Sequence, residues 1–170
     1  KDHGERIYLV GTTYEELGAS EVAFHLKQRG DTSGIGGQVP LLSNPEEQLE
    51  VYRKLSRSIQ SGLIRTAHDC SEGGLAVALA EMCIGGRCGA IVDIDGIGPG
   101  DSFSRMWSES LGRIVVTVSA EHELPFVEMM TGADIHLIGM VSASSELLIE
   151  DGYDAIIHAD VDEDDVEQYA

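Results

Sequence analysis

The chain has 170 residues, 42% of them hydrophobic, which is the length and apolar content of one domain with a core of its own. Its 30 acids against 11 bases give a formal net charge of −19, and a surface of that sign repels nucleic acid and anionic membranes. No run of about 18 apolar residues is present, and the opening KDHGERIYLV lacks the basic-then-apolar layout of a signal peptide; the expected setting is soluble and cytoplasmic.

The elements follow in chain order. Residues 6–11 (RIYLVG) predict a strand, and residues 15–29, with Leu17, Val22, Phe24 and Leu26 partly in helical spacing, predict a helix. Gly30, Gly34, Gly36, Gly37 and Pro40 make 30–44 a loop. Asn44 then offers an N-cap, Pro45 a first helical residue and Glu46 and Glu47 an acidic first turn, opening a helix that ends near Gly62. Residues 63–69 (LIRTAHD) predict a short strand, and 75–84 (LAVALAEMCI), apolar nearly all round and closed by Gly85 and Gly86, a buried helix.

Residues 89–94 and 112–118 predict strands separated by a Gly- and Ser-rich connection containing Pro99. A helix is expected over 122–130, then strands over 135–141, 146–149 and 155–159, the last of them in hairpins. The domain is expected over residues 1–160, and 161–170 as an acidic tail that forms a frayed helix. Strands mixed with helices in one chain indicate an α/β (α+β) domain on a mixed sheet.

Cys70, Cys83 and Cys88 are odd in number and contain no C-x-x-C pair, so they read as reduced, buried thiols and not as a disulfide framework or zinc site. The acids are scattered along the chain as well as gathered in DVDEDDVE, and only three lysines are present. Scatter of this kind favours a halophilic adaptation over a single acidic partner surface.

The segment that carries chemistry is His68-Asp69-Cys70-Ser71-Glu72-Gly73-Gly74, between a predicted strand and the buried helix. Gly73 and Gly74 leave backbone N–H groups bare at a helix N-terminus, where the helix dipole favours phosphate. Ser71 adds a donor, His68 a proton-transfer group and Asp69 a hard oxygen ligand of the kind Mg²⁺ takes. The same residues also describe an ordinary capped helix with Ser71 as N-cap and Glu72 in its first turn, and the motif by itself leaves both readings open.

AHDCSEGGLAVALAEM resembles the signature of the C-terminal domain of the aminoimidazole ribonucleotide synthetase superfamily, most closely its phosphoribosylformylglycinamidine synthase branch. Residues 7–21 (IYLVGTTYEELGASE), 36–40 (GGQVP) and 108–118 (SESLGRIVVTV) resemble the same family in the same order, so the likeness covers roughly residues 5 to 150.

The resemblance implies a three-layer α/β/α sandwich, the second such domain of a longer chain built from two N-domain plus C-domain units. The implied reaction joins formylglycinamide ribonucleotide, ATP and glutamine-derived ammonia to form formylglycinamidine ribonucleotide, ADP and phosphate. ATP and Mg²⁺ are the implied cofactors; N-terminal domains of the same chain, a glutaminase and small accessory subunits are the implied partners. By pseudo-symmetry Asp69 corresponds to a metal ligand and Ser108, Glu109 and Ser110 to a substrate-contacting segment. His68, Ser71, Gly73 and Gly74 complete the ligand-binding candidates.

No catalytic residue is expected in this chain, because the family's catalytic histidine and main ATP contacts lie in N-domains. Two departures stand out: Gly18-Ala19-Ser20-Glu21 where the family has Gly-Gly-Ser-Glu, and Leu111 in place of a glutamine, which by the resemblance implies a weakened substrate contact. Glu21, Glu109 and Arg113 are equally readable as a structural ion pair. Arg65 is placed either to offset the motif's acids or to face solvent. Two other readings remain: a non-catalytic structural half of the same enzyme, and a hydrogenase-maturation or selenophosphate-synthetase relative.

Overall fold

The computed structural model describes residues 3–31, 37–42 and 44–161. Gly36 of the GGQVP segment and the acidic tail beyond Val161, with its expected helix, lie outside the described residues. The elements are β1 (Arg6–Val10), α1 (Glu21–Gln28), α2 (Pro45–Gln60), β2 (Thr66–Asp69), α3 (Gly74–Gly86), β3 (Gly89–Asp93), α4 (Ser102–Trp107), β4 (Ile114–Val118), α5 (Glu123–Met129), β5 (Ile135–Ser142), β6 (Glu146–Asp151) and β7 (Asp154–Asp160).

The seven strands form one sheet in the order β2-β4-β1-β5-β3-β6-β7. Every pairing is antiparallel except β3 with β6. The last two strands, β6 and β7, form the expected hairpin, while β5 is separated from β6 by β3, which inserts between them.

Strand alternation sorts the core into two faces. On one face Ile7, Leu9 and Val115 pack against Leu75, Leu79 and Met82 of α3 and Met106 of α4. On the other, Tyr8, Val10, Val116 and Val118 pack against Val51 and Leu55 of α2 and against Phe126 and Met130 at α5. The result is the expected three-layer α/β/α sandwich. Full burial of a side chain such as Leu75 or Phe126 contributes about 1.5–3 kcal/mol, so each helix is held mainly by its inward face.

Two elements differ from the sequence expectation. The first helix starts at Glu21, with Ser20 as its N-cap accepting from Ala23 N–H at 3.3 Å; Gly18 and the positive φ of Ala19 break the chain before it. Apolar Leu17 therefore belongs to an irregular segment and is buried there. Within the connection around Pro99 the chain forms the short helix α4, capped by Asp101, whose carboxylate accepts from Ser104 N–H at 2.9 Å. That bond holds the Asp101 carboxyl below its usual range.

The three cysteines are buried, as expected, and none of them forms a disulfide. Burial pushes the Cys70 thiol from 9.0 up to about 11, against the lowering influence of the nearby Arg113 charge.

Candidate functional site

The motif begins on β2, an edge strand paired only to β4, in register Thr66 to Thr117 through Asp69 to Ile114. Its polar residues emerge at the strand end. His68 sits between two acids: Nε2 lies 3.2 Å from Glu81 of α3, and Nδ1 lies 2.8 Å from the Asp69 carbonyl. Asp69 exposes 74% of its side chain, and His68 Nδ1 lies 4.0 Å from its carboxylate. Among the described residues no group of three or more His, Cys, Asp or Glu is placed to hold a metal ion. The exposed Asp69 carboxylate would by itself give Mg²⁺ fewer protein oxygens than a dedicated cage supplies.

The turn into α3 is shaped by Gly73 and Gly74, with φ of 79° and 65°. Space requires them as well as conformation: a Cβ on Gly74 would come 2.5 Å from the Ser108 carbonyl oxygen and 2.7 Å from that of Met106. The N-terminus of α3 is thus packed directly on the carbonyl end of α4. Gly73 is the N-cap residue, and no side chain caps the helix locally. Ser71 contributes its carbonyl, accepting from Gly74 N–H at 3.0 Å, so the cap role considered for its hydroxyl is not the one it fills.

The anion at this helix start is supplied from another part of the chain. Glu109 Oε1 accepts from the N–H of Gly73 at 2.9 Å and from the N–H of Glu21, the first residue of α1, at 2.8 Å. Its backbone is held by the serines on either side, both fully buried. Ser108 Oγ accepts from Glu16 N–H at 3.3 Å and Ser110 Oγ accepts from Tyr14 N–H at 3.0 Å. Glu109 N–H donates to the Glu16 carbonyl at 3.3 Å. Residues 14–16 and 108–110 therefore run together as a short strap from which Glu109 reaches the two helices.

Arg113 lies beneath the strap and is 1% exposed. Its guanidinium donates to Thr13 Oγ1 at 3.1 Å, to the Arg105 carbonyl at 3.4 Å and to the Ser108 carbonyl. It is a structural residue, but the triad with Glu21 and Glu109 does not form: Glu21 pairs its carboxylate with His25 at 3.2 Å. Desolvation lowers the Arg113 pKa, while the Cys70 and Glu16 charges oppose that shift. Arg65 pairs with the buried Glu5 at 3.1 Å.

The structure thus brings Gly73, Gly74, Ser108 and Glu109 into one cluster. His68, Asp69 and Ser71 lie at its solvent side, and the Ser110 hydroxyl turns to Tyr14. Sequence reasoning did not single out Thr13, Tyr14 and Glu16, whose contribution is largely backbone and so leaves no side-chain signature. Alongside α3, Val22 and Leu26 of α1 face Val77 and Trp107 across a groove rimmed by Glu21, Glu72 and Glu81.

A seven-stranded mixed sheet between helical layers, with a double-glycine turn at the end of an edge strand, frames this cluster. The family model described as AIR synthase related protein, C-terminal domain, matches residues 2–163, and the chain belongs to that family. The PurL subunit of phosphoribosylformylglycinamidine synthase from Limosilactobacillus reuteri (strain DSM 20016) is 35% identical over 147 residues, which is 86% of this chain and 18% of that protein. The chain therefore spans under a fifth of that curated relative.

Among solved structures, Thermotoga maritima PurL complexed with FGAR superposes with a TM-score of 0.76 at 18% identity, covering 95% of this chain and 28% of that one. The same protein complexed with ATP gives 0.73 at 17%, covering 95% and 25%. The hydrogenase maturation protein HypE gives 0.63 at 14%, covering 93% and 54%. At these identities the superpositions show the shared fold. Among the described residues no helix is long and apolar enough to cross a membrane.

Proposed function

We propose that this chain is a C-terminal domain of a phosphoribosylformylglycinamidine synthase subunit, working inside a longer polypeptide in the cytoplasm. The reaction is the ATP-dependent amidation of formylglycinamide ribonucleotide with glutamine-derived ammonia. The observation that carries this reading is the 35% identity to a PurL subunit across 86% of the chain, together with the four ordered motifs. The HypE and HypE–HypF structures share the fold at 14% and 18% identity, a range the PurL structures also occupy, so it is the sequence likeness to the PurL subunit that favours the synthase.

In this reading ATP and Mg²⁺ are held mainly by groups outside the chain, on N-terminal domains, with a glutaminase and small accessory subunits as further partners. Asp69, His68 and Ser71 are the residues left facing outward to meet them. Bound ATP would supply the phosphoryl group that activates the amide oxygen; this domain's residues position and do not react. The strap at 108–110 favours a second reading within the same enzyme, the structural half, because Ser108, Glu109 and Ser110 are already engaged by their own chain.

A chimera tests the assignment. Residues 5–150 replace the matching segment of the Limosilactobacillus reuteri PurL subunit, and amidation is measured with its usual partners. Restored ATP-dependent turnover supports the reading; a folded, assembled chimera with no turnover and no nucleotide binding contradicts it. The 170-residue chain alone is expected to show no amidation.

A further inference from the structure

We infer that Glu109 is an internal anion that serves as a shared cap for α1 and α3, and that it closes the Gly73–Gly74 turn of this domain to phosphate. The inference concerns residues of this chain alone and stands whether or not the synthase reading holds. It assigns to Glu109 a role different from the substrate contact that the family resemblance implies.

Three observations carry it. One carboxylate oxygen accepts from two helix-terminal amides at 2.9 and 2.8 Å, within the range of charge-assisted bonds. Both donors belong to helix starts, where four N–H groups lack intrahelical partners and the dipole favours negative charge. A phosphate at the Gly73 amide would have to displace this carboxylate.

The second observation is that the carboxylate cannot readily leave. Ser108 and Ser110 are fully buried, their hydroxyls bonded to the backbone of residues 14–16, and Arg113 anchors the Ser108 carbonyl from below. Swinging Glu109 out would strip two amides of their partner while its backbone stayed fixed. The part-buried Gly73 amide would lose its acceptor and bear that cost, while the exposed Glu21 amide would turn to water.

The third observation is the sign of the surroundings. The groove beside Gly73 is rimmed by Glu21, Glu72 and Glu81, against Arg29 and His25. His25 is paired with Glu21, and Glu81 with His68. An incoming dianion therefore meets Glu109 and a rim on which acids outnumber bases, whereas an anion site gathers cations or bare amides.

The test follows the Gly73 and Glu21 amides by ¹H–¹⁵N NMR in the 170-residue chain. Glu109→Gln, which keeps the side chain's size and removes its charge, should shift both amide signals while leaving the rest of the spectrum, and so the fold, intact. When inorganic phosphate is added to about 20 mM at constant ionic strength, neither amide should show a saturable shift. A saturable phosphate shift at Gly73 in the wild-type chain would overturn closure. An unchanged signal at either amide in Glu109→Gln would overturn the shared cap.

Discussion

Helices α2 and α3 begin in opposite ways. The start of α2 is self-sufficient: Asn44 Oδ1 accepts from Glu47 N–H at 3.4 Å, its Nδ2 donates back to the Glu47 carboxylate at 2.7 Å, and Pro45 needs no partner for an N–H it lacks. The start of α3 has no local side-chain cap, and its anion comes from Glu109, 36 residues further along the chain. A helix end capped by its own neighbours depends on the local sequence; one capped by a strap depends on the whole domain being folded. Perturbing α3 should therefore spread to α1 and α4, and perturbing α2 should stay local.

The largest effect is expected from Gly74→Ala. A positive φ of 65° and carbonyl oxygens at 2.5 and 2.7 Å leave no room for a methyl group, so stability should fall by about 3 kcal/mol or more in urea unfolding. A loss below about 1 kcal/mol would show that α3 and α4 are not in direct contact.

High pH separates the two faces of the sheet. Burial raises the Cys70 thiol from 9.0 to about 11, beside α3. Burial, followed by the Glu123 bond, raises Tyr8 from 10.0 to about 12, on the α2 and α5 face. Both groups are neutral when protonated and both pKa values are raised by folding. Their stabilisation is therefore complete below the unfolded value and is lost as pH climbs, through 9 to 11 for Cys70 and 10 to 12 for Tyr8. Chemical denaturation across this range should show a fall on the order of 2 kcal/mol for each group, and Cys70→Ala should remove the earlier part only.

Asn44→Ala should cost about 1 kcal/mol, the usual loss of a local N-cap, without changing the signals of α1 or α3 in an NMR spectrum. The smallest effect is expected from Asp69→Asn. Its side chain is 74% exposed, so melting should move by less than about 0.5 kcal/mol. On the proposed function, the same change in the longer polypeptide should lower Mg²⁺-dependent nucleotide affinity measurably.

The same contrast explains which parts of the molecule could be read from its sequence. The α2 start was legible because Asn44, Pro45, Glu46 and Glu47 act on adjacent residues. The three layers were implied by the family resemblance, and the strand runs at 6–11 and 112–118 were visible as β-rich segments. The start of α1 was misplaced because Leu17 lies seven residues, two helical turns, before Phe24, while the chain at 14–16 is committed to residues 108–110, a pairing no local pattern announces. Helix α4 was missed because it has six residues; the available signal was Asp101, three residues before the Ser104 amide it caps. The motif residues from His68 to Gly74 were recognisable as a helix entry, but not the carboxylate that fills it, because Glu109 reads locally as one acid between two serines.

Native-state hydrogen exchange on the Gly73, Glu21 and Glu47 amides tests the central contrast most directly. Glu109→Ala should speed exchange at Gly73 and Glu21 by about tenfold or more and leave Glu47 unchanged, while Asn44→Ala should speed Glu47 and leave the other two unchanged. If Gly73 and Glu21 exchange at wild-type rates in Glu109→Ala, or if they respond to Asn44→Ala as strongly as Glu47 does, then α3 is not capped by the strap and the account is wrong.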